Sequence, residues 1–171
     1  SYQSLATPAS VIDFNMRTKE KEVKKEQQVL GGKFDKNDYI EERVWATATD
    51  GTKVPISMVY KKGLKKDRKN PLLLYAYGSY GANENIRGGE DLNRQWYEDG
   101  KLLKKKNTFT DYIDCSKFLI NEKYSSPKHL YAEGGSAGGL LMGVVVNSAP
   151  ELYNGVIAQV PFVDVINTML D

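Results

Sequence analysis

The stretch that most limits what this chain can fold into runs Leu130-Tyr131-Ala132-Glu133-Gly134-Gly135-Ser136-Ala137-Gly138-Gly139 and continues through the apolar residues 140–146. It reads as an apolar strand that breaks into a helix at a serine, and it contains Gly-x-Ser-x-Gly. A nucleophile elbow holds its serine in a tight strand-to-helix turn with strained backbone, so the residues two before and two after must be nearly free of side chain. Gly134 and Gly138 meet that demand, and Gly139 extends it. The Ser136 hydroxyl would stand at the mouth of a sheet, with the N–H groups that open the helix facing developing negative charge; of these the Ala137 N–H is the natural oxyanion donor. A glycine-rich helix start that only packs closely on a strand, or that cradles a phosphate, shares this spelling. A phosphate loop would want a lysine before its serine or threonine, and none is present.

The rest of the chain supplies a setting for such a turn. Residues 1–38 differ in character from residues 39–171: Ser10–Met16 alternates as a strand, Arg17–Lys21 turns, and Glu22–Leu30 is a weaker, charged strand. A lone hairpin with so little apolar material needs a partner. The polar run 31–38 is the best domain boundary. Tyr39–Thr49 and Lys53–Tyr60 predict an antiparallel hairpin closed by Asp50-Gly51, with Pro55 marking an edge or a bulge. The continuous apolar run 71–78 predicts a central strand covered on both faces. Thr108–Lys123 has helical spacing, with Thr108 as N-cap and Asp111 in the first turn. Gly155–Val160 is a further buried strand. The alternation β-α-β-α-β predicts an α/β fold: a mostly parallel sheet with helices on both faces and the antiparallel hairpin at one edge.

Charge and composition narrow the partners. The formal charge of the 171 residues is +2, too small to imply nucleic acid or an anionic membrane. The lysine clusters 65–66 and 104–106 lie among polar residues and read as solvated faces. A single cysteine, Cys115, excludes an internal disulfide framework and fits a reducing, cytoplasmic compartment. No uninterrupted apolar run approaches the roughly 20 residues of a membrane span. No cofactor and no metal are expected.

Several stretches together carry a family resemblance. These are Glu42-Arg43-Val44-Trp45-Ala46-Thr47 with residues 50–57; Leu74-Tyr75-Ala76-Tyr77-Gly78-Ser79-Tyr80-Gly81; Ile86-Arg87-Gly88-Gly89-Glu90; Trp96-Tyr97-Glu98-Asp99-Gly100-Lys101; Gly134–Gly139; and Ala158-Gln159-Val160-Pro161-Phe162-Val163-Asp164. In this order they resemble the catalytic part of the prolyl oligopeptidase family of serine peptidases, in its oligopeptidase B branch. The resemblance implies an α/β-hydrolase domain over residues 39–171, incomplete, and a β-propeller whose last blade ends in residues 1–30. It implies short peptides as substrates, cleaved after Lys or Arg. It places the nucleophile on Ser136, the oxyanion donors on the Ala137 N–H and the Tyr77 hydroxyl, and a pocket-lining aromatic on Tyr80.

Two departures bear on function. Acyl transfer at a serine needs a base and an acid, in the order Ser, Asp, His for this fold, yet no histidine follows Ser136. The one histidine, His129, opens the strand that feeds the serine, roughly 20 Å away, and is read as structural or exposed. Asp164 follows a later strand, but the resemblance gives it a structural role and places the acid, the base and the residue that holds a basic side chain beyond Asp171. The chain is therefore read as an enzyme fragment, inactive alone. An esterase or aminopeptidase-like hydrolase, or a non-catalytic α/β module, are the alternatives. The second departure lies between Gly81 and Ile86, where only Ala82-Asn83-Glu84-Asn85 stands in place of a strand and its connection. Roughly 20 residues are missing by ordinary element lengths, so a break or deletion is expected near 82–85.

Overall fold

The computed structural model describes residues 1–170. They form two compact units, Ser1–Arg43 with Ser57–Leu64, and Val44–Ile56 with the chain from Lys65 onward.

In the first unit, β1 (Ser10–Phe14) and β2 (Lys21–Glu26) pair antiparallel with an irregularity between Val11 and Ile12. Asn15 closes the turn: its side-chain oxygen accepts from the N–H groups of Arg17 and Thr18 at 2.9 and 3.1 Å. The second strand stops at Glu26, short of the expected Leu30, and is exposed along its whole length. Val11, Phe14 and Val23 are exposed as well. No third strand joins the pair among the described residues. Residues 31–38 carry one helical turn at Lys36–Asp38.

β3 (Tyr39–Thr47) and β4 (Lys53–Lys61) form the second hairpin. Gly51 takes φ 84° and donates its N–H to Ala48 O at 2.8 Å, the turn that Asp50-Gly51 predicts. Against expectation this hairpin does not join the parallel sheet. It is a two-stranded sheet of its own.

The second unit is built on β5 (Leu72–Tyr75), β6 (Leu130–Gly135) and β7 (Gly155–Gln159), parallel and in that order. Helix α1 (Arg94–Glu98) has no counterpart in the sequence-based expectation; α2 (Lys106–Asn121) connects β5 to β6, α3 (Ala137–Ser148) connects β6 to β7, and α4 (Val165–Leu170) comes last. Because the strand order never reverses, two right-handed crossovers carry both connecting helices to the same face. That face holds the core, in which Leu130 and Ala132 of β6 meet Leu141, Met142 and Val145 of α3, with Tyr112, Cys115 and Leu119 of α2 buried beside them. The other face bears Leu73, Tyr75 and Ile157, respectively 55%, 47% and 46% exposed. Three expectations are thus corrected. The connecting helices cover one face rather than both, and β5 is an edge strand rather than a central one. β7, expected to be buried, shares the open face.

Helix α2 also begins earlier than expected, at Lys106, with no side-chain cap. Thr108 lies inside it, buried, and donates its hydroxyl to Arg87 O at 2.8 Å and Gly100 O at 3.1 Å. Asp111 is not a solvent-facing first-turn acid. It is fully buried, and its carboxylate accepts from the Arg87 Nε and Nη2 at 2.9 and 2.6 Å and from the Arg87 backbone N–H at 3.0 Å. The remaining guanidinium nitrogen reaches Asp50 at 2.6 Å, in the β3–β4 turn. Burial pushes the Asp111 carboxyl up, whereas the Arg87 hydrogen bond, seconded by the Thr52 N–H, draws half-exposed Asp50 from 3.8 to about 2. We take the buried pair as ionic, since a guanidinium stays charged.

Between Gly81 and Ile86, where a break was expected, the chain is closed by successive tight turns. Ala82 donates to Ser79 O, Glu84 to Ala82 O, Ile86 to Glu84 O and Gly89 to Ile86 O, while Gly81 donates to Gly88 O.

The Arg87 cluster can be tested in two ways. Arg87→Met strands the Asp111 charge in the core and is expected to cost about 3–5 kcal/mol in urea unfolding, against less than about 1 kcal/mol for Asp50→Asn, a side chain that is itself half in water; equal effects would show that burial of the pair is unimportant. Because the folded Asp50 carboxyl titrates below its unfolded value, its small contribution is full above pH about 4 and is lost as pH falls through about 2. Asp50→Asn should flatten that part of the stability–pH curve.

Candidate active site

Ser136 sits between β6 and α3 at φ 53°, ψ −114°, a left-handed conformation that costs a non-glycine residue about 1–3 kcal/mol. The backbone holds it there. Its N–H donates to Gln159 O at 3.0 Å, and its carbonyl accepts from Gly139 at 2.9 Å, Phe162 at 3.0 Å and Leu140 at 3.3 Å. The side chain is exposed.

The flanking glycines are sterically required. A Cβ on Gly134 would lie 2.3 Å from Gly138 O, and one on Gly138 would lie 2.7 Å from Ala76 O and 3.3 Å from Tyr77 Cα. Gly139 is blocked likewise by Pro161 Cα at 2.4 Å. These approaches set the start of α3 against the end of β5 and against the loop after β7. They also bring Tyr77 to the serine turn, with its ring atom Cδ2 3.5 Å from the Gly138 Cβ position. Ala137, the first residue of α3, has an N–H with no acceptor in the helix's own ladder. Tyr77 is half-buried, and its hydroxyl makes no hydrogen bond among the described residues.

Tyr80, at φ 57° and 82% exposed, lies in the next turn with its ring 6.3 Å from that of Tyr77. It lines a cleft of about 330 Å³ together with Ser79, Tyr97, Leu102, Lys101 and Lys105; Ser136 does not border it. Lys105 was missed in the sequence because it lies within a run of three lysines. Lys104 and Lys106 are exposed as expected, but Lys105 is half-buried, and burial lowers its pKa to about 8. The detectable signal was its place three residues before Thr108, the first buried position of α2.

The structure does not bring His129 to the serine. His129 immediately precedes β6 and Ser136 immediately follows it, so the strand's six residues separate them by roughly 20 Å. Asp164 accepts from the Asn167 amide at 2.8 Å and from Thr168 at the start of α4, a helix-opening role. Among the described residues, no group of three or more His, Cys, Asp or Glu side chains is placed to hold a metal ion.

The serine turn lies within a match to a known family. The model of the prolyl oligopeptidase family matches residues 66–171. The chain is 47% identical to dipeptidyl aminopeptidase BI of Pseudoxanthomonas mexicana over all of its own length and 26% of that protein's, and 42% identical to protease 2 of Moraxella lacunata over 99% and 28%. The first alignment runs over 193 positions, 22 more than the 171 residues of the chain. Among solved structures it is similar to oligopeptidase B from Leishmania major, with TM-score 0.89 and 44% identity over 98% of this chain and 26% of that one. Oligopeptidase B from Trypanosoma brucei with covalently bound antipain gives 0.89 and 42%, over 98% and 27%. The chain thus spans about a quarter of the length of these relatives. With the family match over residues 66–171 and relatives aligned along its whole length, the chain belongs to the prolyl oligopeptidase family.

Proposed function

We propose that this chain carries the nucleophile and oxyanion half of a serine peptidase that hydrolyses short peptides after Lys or Arg through an acyl-enzyme on Ser136. The observation that carries the reading is the left-handed Ser136 between β6 and α3, held by four backbone hydrogen bonds with its hydroxyl in the open. The Ser136 hydroxyl would give its proton to the general base as its Oγ attacks the scissile carbonyl carbon, the carbonyl oxygen would become an oxyanion received by the Ala137 N–H and the Tyr77 hydroxyl, and its collapse would break the C–N bond and expel the amine, protonated by that base, leaving the acyl-enzyme. Tyr80 would line the substrate pocket. The reach from Ser136 includes no histidine of this chain, so the general base, its acid and the group that selects a basic side chain belong to other parts of a longer enzyme. The preference for basic residues rests on the likeness to oligopeptidase B and on nothing in the cleft. An aminopeptidase-like hydrolase is the second reading, favoured by the 47% identity to a dipeptidyl aminopeptidase.

We propose likewise that the chain divides at residue 38. Residues 1–38 serve as the end of a propeller blade and its linker, supported by the exposed apolar residues of the unpartnered β1–β2 pair. Residues 39–171 are the N-terminal part of the catalytic domain. The 22 extra alignment positions, the free edge of β5 and the separate β3–β4 sheet support a missing strand near 82–85. A cytoplasmic site is supported by the buried, unpaired Cys115.

The isolated chain is expected neither to cleave a Lys- or Arg-containing peptide nor to react with a fluorophosphonate probe, while the full-length enzyme does both. In that enzyme Ser136→Ala should abolish labelling and His129→Ala should leave kcat within a few-fold; robust labelling of the isolated chain, or loss of activity in a folded His129→Ala, would sink the assignment of the base. Gly138→Ala should lower kcat/KM by about 100-fold, because a methyl wedged against Ala76 and Tyr77 shifts the serine from the oxyanion donors. An unchanged rate would mean the close approach is dispensable.

A further inference from the structure

We propose that Lys105 is a positioning residue for the Tyr77 hydroxyl, its ammonium fixing the turn just after Tyr77; this rests on the oxyanion role given to Tyr77 above. The turn is awkward for the backbone. Gly78, Tyr80 and Gly81 take φ 66°, 57° and 71°, so three of its four residues are left-handed. The pairing of the sheet ends upstream with the Ala76 N–H on Glu133 O at 3.2 Å. Downstream, the turn is next tied through Ala82 to Ser79 O and through Gly81 to Gly88 O. Between these anchors the Lys105 Nζ donates to Gly78 O and, at 2.8 Å, to the Ser79 hydroxyl.

The chemistry of Lys105 points the same way. Its neighbours Lys101 and Lys104 are paired with Glu98 at 2.6 Å and Asp99 at 2.7 Å, but Lys105 has no carboxylate partner among the described residues. A half-buried ammonium without a counter-charge is costly, and an apolar side chain of similar length would fill the same space more cheaply unless the donors are needed. Two of its three donors go to the turn. Lys105 itself lies in the cleft beside Tyr80, which Ser136 does not border, so it acts through the turn rather than on the reacting atoms. Releasing the Gly78 carbonyl would free the Gly78–Ser79 peptide, one residue beyond Tyr77, to rotate about the permissive Gly78, and the phenol would leave the oxyanion position without changing how substrate binds.

A double-mutant cycle in the full-length enzyme tests this, using Lys105→Met, which keeps the stem and removes the donors, with Tyr77→Phe. Tyr77→Phe should lower kcat by about 100-fold, the usual effect of losing one oxyanion donor. Lys105→Met alone should lower kcat by about 10- to 100-fold with KM within about threefold, and should add less than about twofold in the Tyr77→Phe background, since groups acting through one another are not additive. Lys105→Arg, which keeps charged donors, should recover most of the rate. If Lys105→Met does not fold, Ser79→Ala removes one of the two anchors and should show a smaller loss with the same non-additivity. Equal losses in both backgrounds, or unchanged kcat in a folded Lys105→Met, would overturn the positioning role while leaving the oxyanion reading intact. An unchanged kcat in Tyr77→Phe would overturn both.

Discussion

The structure of the second unit depends on a contact between backbones that leaves no room for a side chain. At Gly134 and Gly138 the last residues of β6, the first turn of α3 and the chain leaving β5 come together at distances that a single methyl would forbid. Such an approach is open only to glycine. It fixes three things at once: the abrupt change from strand to helix, the left-handed backbone of Ser136, and the lateral position of Tyr77. Gly139 against Pro161 adds the loop after β7 to the same point. The hydrogen-bond donors and acceptors around the serine are consequences of this contact, because the peptide groups that surround Ser136 have nowhere else to go.

A second layer supports the first from behind. Gly78 leaves no space between its own Cα and Thr108, and Gly88 none between itself and the Gly78 carbonyl. Thr108 bonds Arg87 O, and Arg87 is clamped on Asp111 in α2 and on Asp50 in the β3–β4 turn. The turn after Tyr77 is thus backed by the Thr108 methyl and Ile86 at Gly78, and behind them by the polar contacts of Thr108 and Arg87. Buried charge of this kind contributes little net stability, but breaking it is costly, which favours one arrangement over its alternatives. A loop that must present a hydroxyl at a fixed point gains more from that selectivity than from added stability.

How far the sequence revealed these features varied with the range of the interactions behind them. The Gly-x-Ser-x-Gly run is local, so its strand, turn and helix were legible to within a residue, and Asp50-Gly51 was legible for the same reason. Which face of a strand meets a helix is not local. The run 71–78 is apolar on both faces, yet the edge position of β5 and the exposure of Leu73 and Tyr75 depend on strand order and on what lies beside them. Thr108 looked like a helix cap because threonine before a polar turn usually is one; its actual role depends on carbonyls 21 and 8 residues away. Asp111 and Lys105 were misread similarly. A charged residue in a charged run gives no local sign that it faces inward, and only the fold supplies its partner.

The forces that keep Ser136 left-handed all act on its own N–H and C=O and on its glycine neighbours, and none acts on its hydroxyl. Shape and reactivity are therefore separate properties at this position. An exchange of the side-chain atom that points outward, oxygen for sulfur or for hydrogen, asks nothing of the backbone, whereas sliding the same atom by a single residue would require the whole crossing of three chain segments to be rebuilt. Over evolutionary time the chemistry at such a point can change or fall silent while its architecture stays the same.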